Sequence, residues 1–270
     1  MKWIFTIFQL ELRKIFSYRV DFWIQFLAGP SVQIFVAFFL WKIIFITQAI
    51  HEVGGYSFQE LMLYYITIPF IEKGLLFQQR SDSLSQEIYD GSLTRYLIYP
   101  LALFPYKFCQ QLAHILISLL QLGLALFLLY IINYFYPFFS FSIELKHLPL
   151  FFLFILLGAL LSFLISSFLE LIAFWADHIW SLLILFQMSL SFIGGGRLPL
   201  SIFPEWSQSF LLHLPFASIL YIPTNVLIGH PIGISYISAI MVSLFWILFF
   251  SVANNFLWRR GLKIYTGVGI

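Results

Sequence analysis

The sequence predicts an all-α, polytopic helical membrane protein with six transmembrane helices, an N-terminal interfacial helix and short outer re-entrant helices before the last span. Three observations carry this prediction. Of 270 residues, 61% are hydrophobic and 10% charged, with a mean hydropathy of +0.94; soluble domains average about 45–50% apolar and about 25% charged residues. Six stretches reach the roughly 20 mostly apolar residues that a spanning helix needs to satisfy its backbone inside hydrocarbon. None alternates with the ten-residue pattern of an outer-membrane barrel. A water-soluble globular fold is excluded, as is disorder, which needs low hydrophobicity and high charge. A net charge of +2 is too small for a nucleic-acid-binding surface, and the single Cys109 excludes an intrachain disulfide and a multi-cysteine metal site.

The first twenty residues read as one amphipathic helix. Lys2, Thr6, Gln9, Arg13 and Ser17 recur at steps of three and four, and Ile4, Phe5, Phe8, Leu12 and Ile15 fill most of the remaining face. Such a helix lies in the membrane interface. A cleaved signal peptide needs an uninterrupted apolar centre and a small-residue site; here Glu11, Arg13 and Lys14 interrupt the centre. The six spans follow at roughly 22–46, 57–79, 108–133, 148–174, 178–195 and 233–257, all rich in Phe, Leu and Ile. Orientation is read from basic residues. Lys2, Arg13, Lys14, Arg19, Arg80, Arg95, Lys107, Arg259, Arg260 and Lys263 fall on one side, against Lys42, Lys146 and Arg197 on the other, with Lys73 inside the second span. This places both termini in the cytoplasm.

Two connections stand out. The inner one, 81–100, carries Ser81 and Asp82 as helix N-caps, Gly91 as a C-terminal cap and Pro100 as a stop. A short helix near 82–90 followed by Leu93, Tyr96 and Leu97 presents an amphipathic surface, read either as a solvated loop or as a docking element. The outer one, 195–232, holds Pro199, Pro204, Pro215, Pro223 and Pro231, five of eleven prolines, yet stays apolar. Proline at that density predicts short interfacial or re-entrant helices. Gly194, Gly195 and Gly196 form no phosphate loop, and nothing matches Gly-x-x-x-x-Gly-Lys-[Ser/Thr].

Acids and bases inside a membrane cost about 2.5–3.5 kcal/mol each at a helix centre and are functional candidates by default. Glu60 lies near the outer end of the second span, within reach of water. Glu72 and Lys73 are adjacent and point about 100° apart, so they share no helix face. Lys73, seven residues from Arg80, is expected to snorkel toward the inner headgroups. Glu72 and Glu170 are candidate pathway residues, Glu72 being open between a pathway and an interhelical bond. The six histidines lack the paired spacing of a metal or haem site. Asp177 and His178 adjoin but do not face each other on a helix, and no nucleophile is implied nearby.

Several short motifs follow one another in order: the amphipathic N-terminal helix, Glu87-Ile88-Tyr89-Asp90-Gly91-Ser92-Leu93 running on to Leu97 and Pro100, and Phe174-Trp175 at the inner turn. They continue with Leu198-Pro199-Leu200, Phe203-Pro204-Glu205-Trp206, Leu214-Pro215-Phe216 and Tyr221-Ile222-Pro223. The tail holds Trp258, Gly261-Leu262-Lys263-Ile264-Tyr265 and Gly267-Val268-Gly269. Their order resembles the type-2 permease subunits of ATP-binding-cassette (ABC) exporters, in the six-span bacterial branch of ABC-2 family transporter proteins. The resemblance spans nearly the whole chain, read as one permease domain, 1–270.

The resemblance implies that 81–97 is the coupling helix of a separate ATPase, with Ser83, Glu87, Ile88, Asp90, Gly91, Leu93 and Arg95 serving the coupling and Glu87 at or near the docking surface. It implies an outer gate over 196–225 including Gly196, Pro199, Phe203, Pro204, Trp206 and Pro215. The partners it implies are two ABC ATPase subunits, a second permease chain (identical or related) and membrane lipid, in the bacterial inner membrane. No catalytic residue, metal or cofactor is expected in this chain; ATP and Mg belong to the ATPase. The Gly194–Gly196 triplet is glycine-richer than the resemblance leads one to expect. Two other classes stay open: a membrane enzyme acting on lipid through Glu72, Glu170 or His178, and an assembly protein without a path. An ATPase encoded beside the gene favours export; loss of a lipid product in His178→Ala favours the enzyme.

Overall fold

The computed structural model describes residues 2–76, 83–98, 102–135 and 145–267. Arg80, Ser81, Asp82, Pro100, Val268 and Gly269, which the sequence singled out, lie outside them, as does the end of the predicted 57–79 span. The described chain is all-helical, with no strand. Its helices are α1 (Lys2–Ser17), α2 (Arg19–Gln48), α3 (Phe58–Leu75), α4 (Leu84–Tyr89), α5 (Thr94–Ile98), α6 (Leu103–Phe135), α7 (Leu148–Leu171), α8 (Trp180–Ile193), α9 (Glu205–Leu212), α10 (Tyr221–Ile228) and α11 (Tyr236–Ile264).

Among the described residues, four helical stretches are long and apolar enough to cross a membrane: Phe22–Thr47, Leu103–Phe135, Leu148–Phe174 and Tyr236–Ile264. The other two expected spans are weaker than the hydropathy pattern implied. α3 has 18 residues and carries Glu60, Glu72 and Lys73; α8 has 14, about 21 Å of helix against the roughly 30 Å of a hydrocarbon core.

α7 is the axis of the fold. In its most apolar stretch 61% of residues are buried, against 28% in α6, 17% in α2 and 11% in α11, so those three turn most of their apolar surface outward. Lipid tails are as apolar as leucine, so contact between such helices rests on close packing and hydrogen bonds. α11 lies along α7 with Ala239, Ser243, Asn254 and Gly261 buried, and Asn254 Nδ2 donates to the Leu164 carbonyl at 2.8 Å. α3 packs on α6, where Gly74 meets Ser118 and Ile115. Gln111 Nε2 donates to the Leu75 carbonyl at 2.9 Å. α2 meets α3 through Phe26 on Phe70 and Trp41 beside Tyr65. Trp41 is therefore buried.

α1 is a separate helix, broken from α2 at Tyr18. Thr6, Gln9, Arg13 and Ser17 are exposed, as the stripe predicted, while Glu11 faces inward onto α6. Glu11 takes hydrogen bonds from Gln110 Nε2 at 3.4 Å and His114 Nε2 at 3.3 Å, and pairs with Lys14 at 3.4 Å. The His114 bond is the main cause holding its carboxyl below the usual range despite burial.

Candidate functional site

Residues 83–98 form a compact unit at one end of the bundle. Ser83 caps α4, its Oγ accepting from Gln86 N at 3.3 Å. Gly91, at φ +70, then reverses the chain so that Leu93 N donates to the Glu87 carbonyl at 2.9 Å. That left-handed backbone is one an L side chain resists. The reversal returns Leu93 to the face of Leu84 and Ile88, and these three join Leu103, Leu171, Phe174 and Ile179 in a small core.

Four polar contacts fasten this unit to its surroundings. Glu170, on the last turn of α7, accepts from Leu84 N at 2.8 Å. Glu87 Oε1 meets Lys107 Nζ of α6 at 2.5 Å and accepts from Tyr96 Oη at 2.9 Å, with Lys107 Nζ 5.4 Å from the Tyr96 ring centre. Tyr89 Oη donates to Ala176 O at 3.0 Å, in the turn before α8. Tyr265, just past α11, donates to the Gly91 carbonyl at 2.7 Å. Burial first, and then the Glu87 charge, pushes the Tyr96 hydroxyl well above its ordinary range, so it stays a donor. Phe174 packs against Trp258 and Tyr265 and lies over Gly261, where a Cβ has no room.

These contacts decide where three of the singled-out side chains point. Glu87 does not face outward: its side chain is 10% exposed and its charge is spent on Lys107. Glu170 is fully buried and holds the start of α4. Lys73 does not snorkel toward the α4 end; Nζ donates to Gln121 at 2.9 Å. Gln121 lies ten residues farther along α6 than Gln111, the partner of Leu75, about 15 Å toward the other end. Glu72 is half-buried on α3. The coupling residues split accordingly: Ile88, Gly91 and Leu93 are buried, Ser83 caps, and Asp90 and Arg95 are exposed beside Gln86 and Thr94. The sequence reading counted Lys107 among the basic residues, put Tyr96 on an amphipathic surface and Tyr265 in the tail motif, but gave none of them a partner, because those partners lie 9 to 174 residues away and leave no local spacing signal.

The opposite end is capped by 194–232. Two consecutive tyrosines of α3 hold its first turn: Tyr64 Oη donates to the Gly195 carbonyl at 2.6 Å and Tyr65 Oη to the Arg197 carbonyl at 2.7 Å. Gly195 is at φ +86, and a Cβ there falls 2.7 Å from Tyr64 Oη. The glycine triplet therefore has a cause, a chain folded tightly against two side chains of α3. Gly195→Ala should cost about 1–3 kcal/mol from backbone strain alone, read as a lower thermal midpoint in detergent; an unchanged midpoint refutes it. Gly196, Pro199 and Pro215 are buried, Phe203 is half-buried, and Pro204 and Trp206 face outward.

α10 is eight residues long and nearly all buried, packed on α7 and α3. The chain entering it, at Ser218 and Ile219, touches Gly158 of α7, where a Cβ would lie 3.1 Å from the Ser218 carbonyl oxygen. Gly158 lies ten residues into α7, about 15 Å from its start, so the cap reaches deep along the bundle and turns back. Tyr56 Oη donates to Asn225 Oδ1 of α10 at 2.6 Å, and His230 stacks on the Tyr56 ring at 3.6 Å.

Long apolar helices around a buried axis, an end clamp tied to three of them and a folded cap at the other end describe a polytopic membrane protein. The profile of the family described as ABC-2 family transporter protein matches residues 32–269, and the chain belongs to that family. It is thus a multi-pass membrane component of a transporter, with a permease role, and the family implies an ABC ATPase partner. α1 and the start of α2 precede the match. No curated protein matches the chain.

Proposed function

We propose that this chain is the permease subunit of an ABC exporter, acting as a dimer with a second permease chain and driven by two ATPase subunits. In this reading α2, α3, α6, α7, α8 and α11 are six spans and both termini lie in the cytoplasm. The 42-residue connection from α8 to α11, 194–235, holding α9 and α10, is an outer gate that re-enters the membrane. The surplus of Lys and Arg at the α4 end supports the orientation. α3 and α8, though short, flank the α4 and α10 ends and connect them.

The observation that carries the reading is the fastening of α4. A nucleotide can bias a permease only through contacts that differ between two conformations. α4 is bonded to α6 by Glu87–Lys107, to α7 by Glu170, to the turn before α8 by Tyr89 and to the tail of α11 by Tyr265. Displacing it therefore displaces several spans together. The outward residues of 83–98, Gln86, Asp90, Thr94 and Arg95, with Trp175 of the neighbouring turn, form the surface that an ATPase would press. Glu72, half-buried on α3, is the acid left to line the path.

Affinity purification of the tagged chain from native membranes tests this. A stoichiometric ABC ATPase is the expected companion, and a preparation without one overturns the reading. Asp90→Lys with Arg95→Glu should cut ATPase recovery about tenfold, because reversed charges face the partner directly, while the thermal midpoint stays that of the unaltered chain.

A further inference from the structure

The α10 end holds a cleft of about 420 Å³ between the start of α3, the cap and the connection to α11. Leu200, Leu212 and Ile232 supply apolar lining, and Glu60, Tyr221 and His230 supply polar groups. Glu60 is the charged residue of this lining. Its Oε2 is occupied by the capping box of α3, accepting from Ser57 N at 2.8 Å and Ser57 Oγ at 2.9 Å. Its Oε1 faces His230 Nδ1 at 4.0 Å, and the side chain is 39% exposed. Burial holds His230 below its ordinary range, so at neutral pH the ring is uncharged and does not cancel the carboxylate. The cleft thus offers one anion, aromatic groups and an apolar surface, with a carboxylate open to a ligand.

We propose that this cleft binds a small organic cation bearing a short apolar tail, with Glu60 as its counter-charge and Leu200, Leu212 and Ile232 holding the tail. An anionic amphiphile meets repulsion from Glu60, and a neutral one forgoes the charge-assisted bond that makes a buried polar contact strong. The site does not depend on how the chain couples to an ATPase, so failure of that coupling and failure of this site are separate results.

The test is calorimetric titration of the full chain in lipid nanodiscs with ethylamine, butylamine and hexylamine, each protonated near neutral pH, beside hexanol and hexyl sulfate. Hexylamine should bind, with affinity rising about threefold to fourfold per methylene as the tail fills the apolar lining. Glu60→Gln should weaken it about tenfold or more. Glutamine preserves the capping box, since its amide oxygen accepts the same Ser57 N–H, and the thermal midpoint reports that the variant is folded. Hexyl sulfate binding as tightly as hexylamine to the unaltered chain overturns the proposal, whatever the variant does. So does equal hexylamine affinity in folded Glu60→Gln.

Discussion

Glu87→Gln is expected to release the α4 clamp. The Glu87 and Lys107 side chains are 10% and 5% exposed and lie 2.5 Å apart. Removing one charge from so buried a pair typically costs about 3–5 kcal/mol, because the remaining ion keeps its desolvation penalty and loses its partner. The loss should be local, since α4 belongs to the small core at the α4 end, distinct from the main core around α3, α7 and α10. Amide hydrogen exchange over 84–98 should accelerate about a hundredfold or more, with α7 and α10 unchanged. ATPase recovery should fall in parallel, because the proposed docking surface loses its shape while Gln86, Asp90, Thr94 and Arg95 stay in place in the sequence. Replacing both members, Glu87→Met with Lys107→Met, removes both desolvation penalties and should restore slow exchange. Native exchange in the single variant would show that the pair does not hold the clamp.

Gly158→Leu should prevent the cap from seating on α7. The atoms facing Gly158 are the Ser218 carbonyl oxygen, the Ile219 Cα and the Ile219 carbonyl oxygen, at 3.1–3.4 Å from a Cβ, and main chain cannot rotate aside as a side chain can. Gly158→Ala already overpacks this contact and should cost about 1–3 kcal/mol, seen as a lower thermal midpoint. The leucine variant adds a branched group where no volume exists. Exchange protection of α10 should then be lost while the α4 end keeps its own. Protection of 217–227 equal to that of the unaltered chain would show that the cap does not rest on α7.

Much of the architecture was legible because hydrophobic length and turn residues are local signals. The 82–90 helix appears as Leu84–Tyr89, Gly91 takes the positive φ, and the proline-rich connection forms two short helices instead of another long one. The polar stripe of α1 is exposed at Thr6, Gln9, Arg13 and Ser17, where the three- and four-residue spacing put it. The site was less legible. Glu87 belongs to a coupling-like run, and that run says nothing of which way its side chain points; the α4 register, with Leu84, Ile88 and the returning Leu93 facing inward, turns Glu87 in with them. Glu170 and Lys73 were suspect as intramembrane charges, and whether each lines a path or bonds a neighbour depends on a residue 86 or 48 positions away.

By itself the sequence determined an all-helical membrane protein, its strongest spans, the sites of its two unusual connections and the family to which it belongs. Those properties follow from the cost of exposing backbone in hydrocarbon and from the dihedral limits of glycine and proline, which act within a few residues. Only the tertiary structure decided that Glu87 binds Lys107, that Glu170 holds α4, that the cap rests on Gly158 and that Glu60 opens into a cleft. Each of those joins groups far apart in the chain, and the partner of a buried charge is chosen by which helices pack together, a choice that no local pattern encodes.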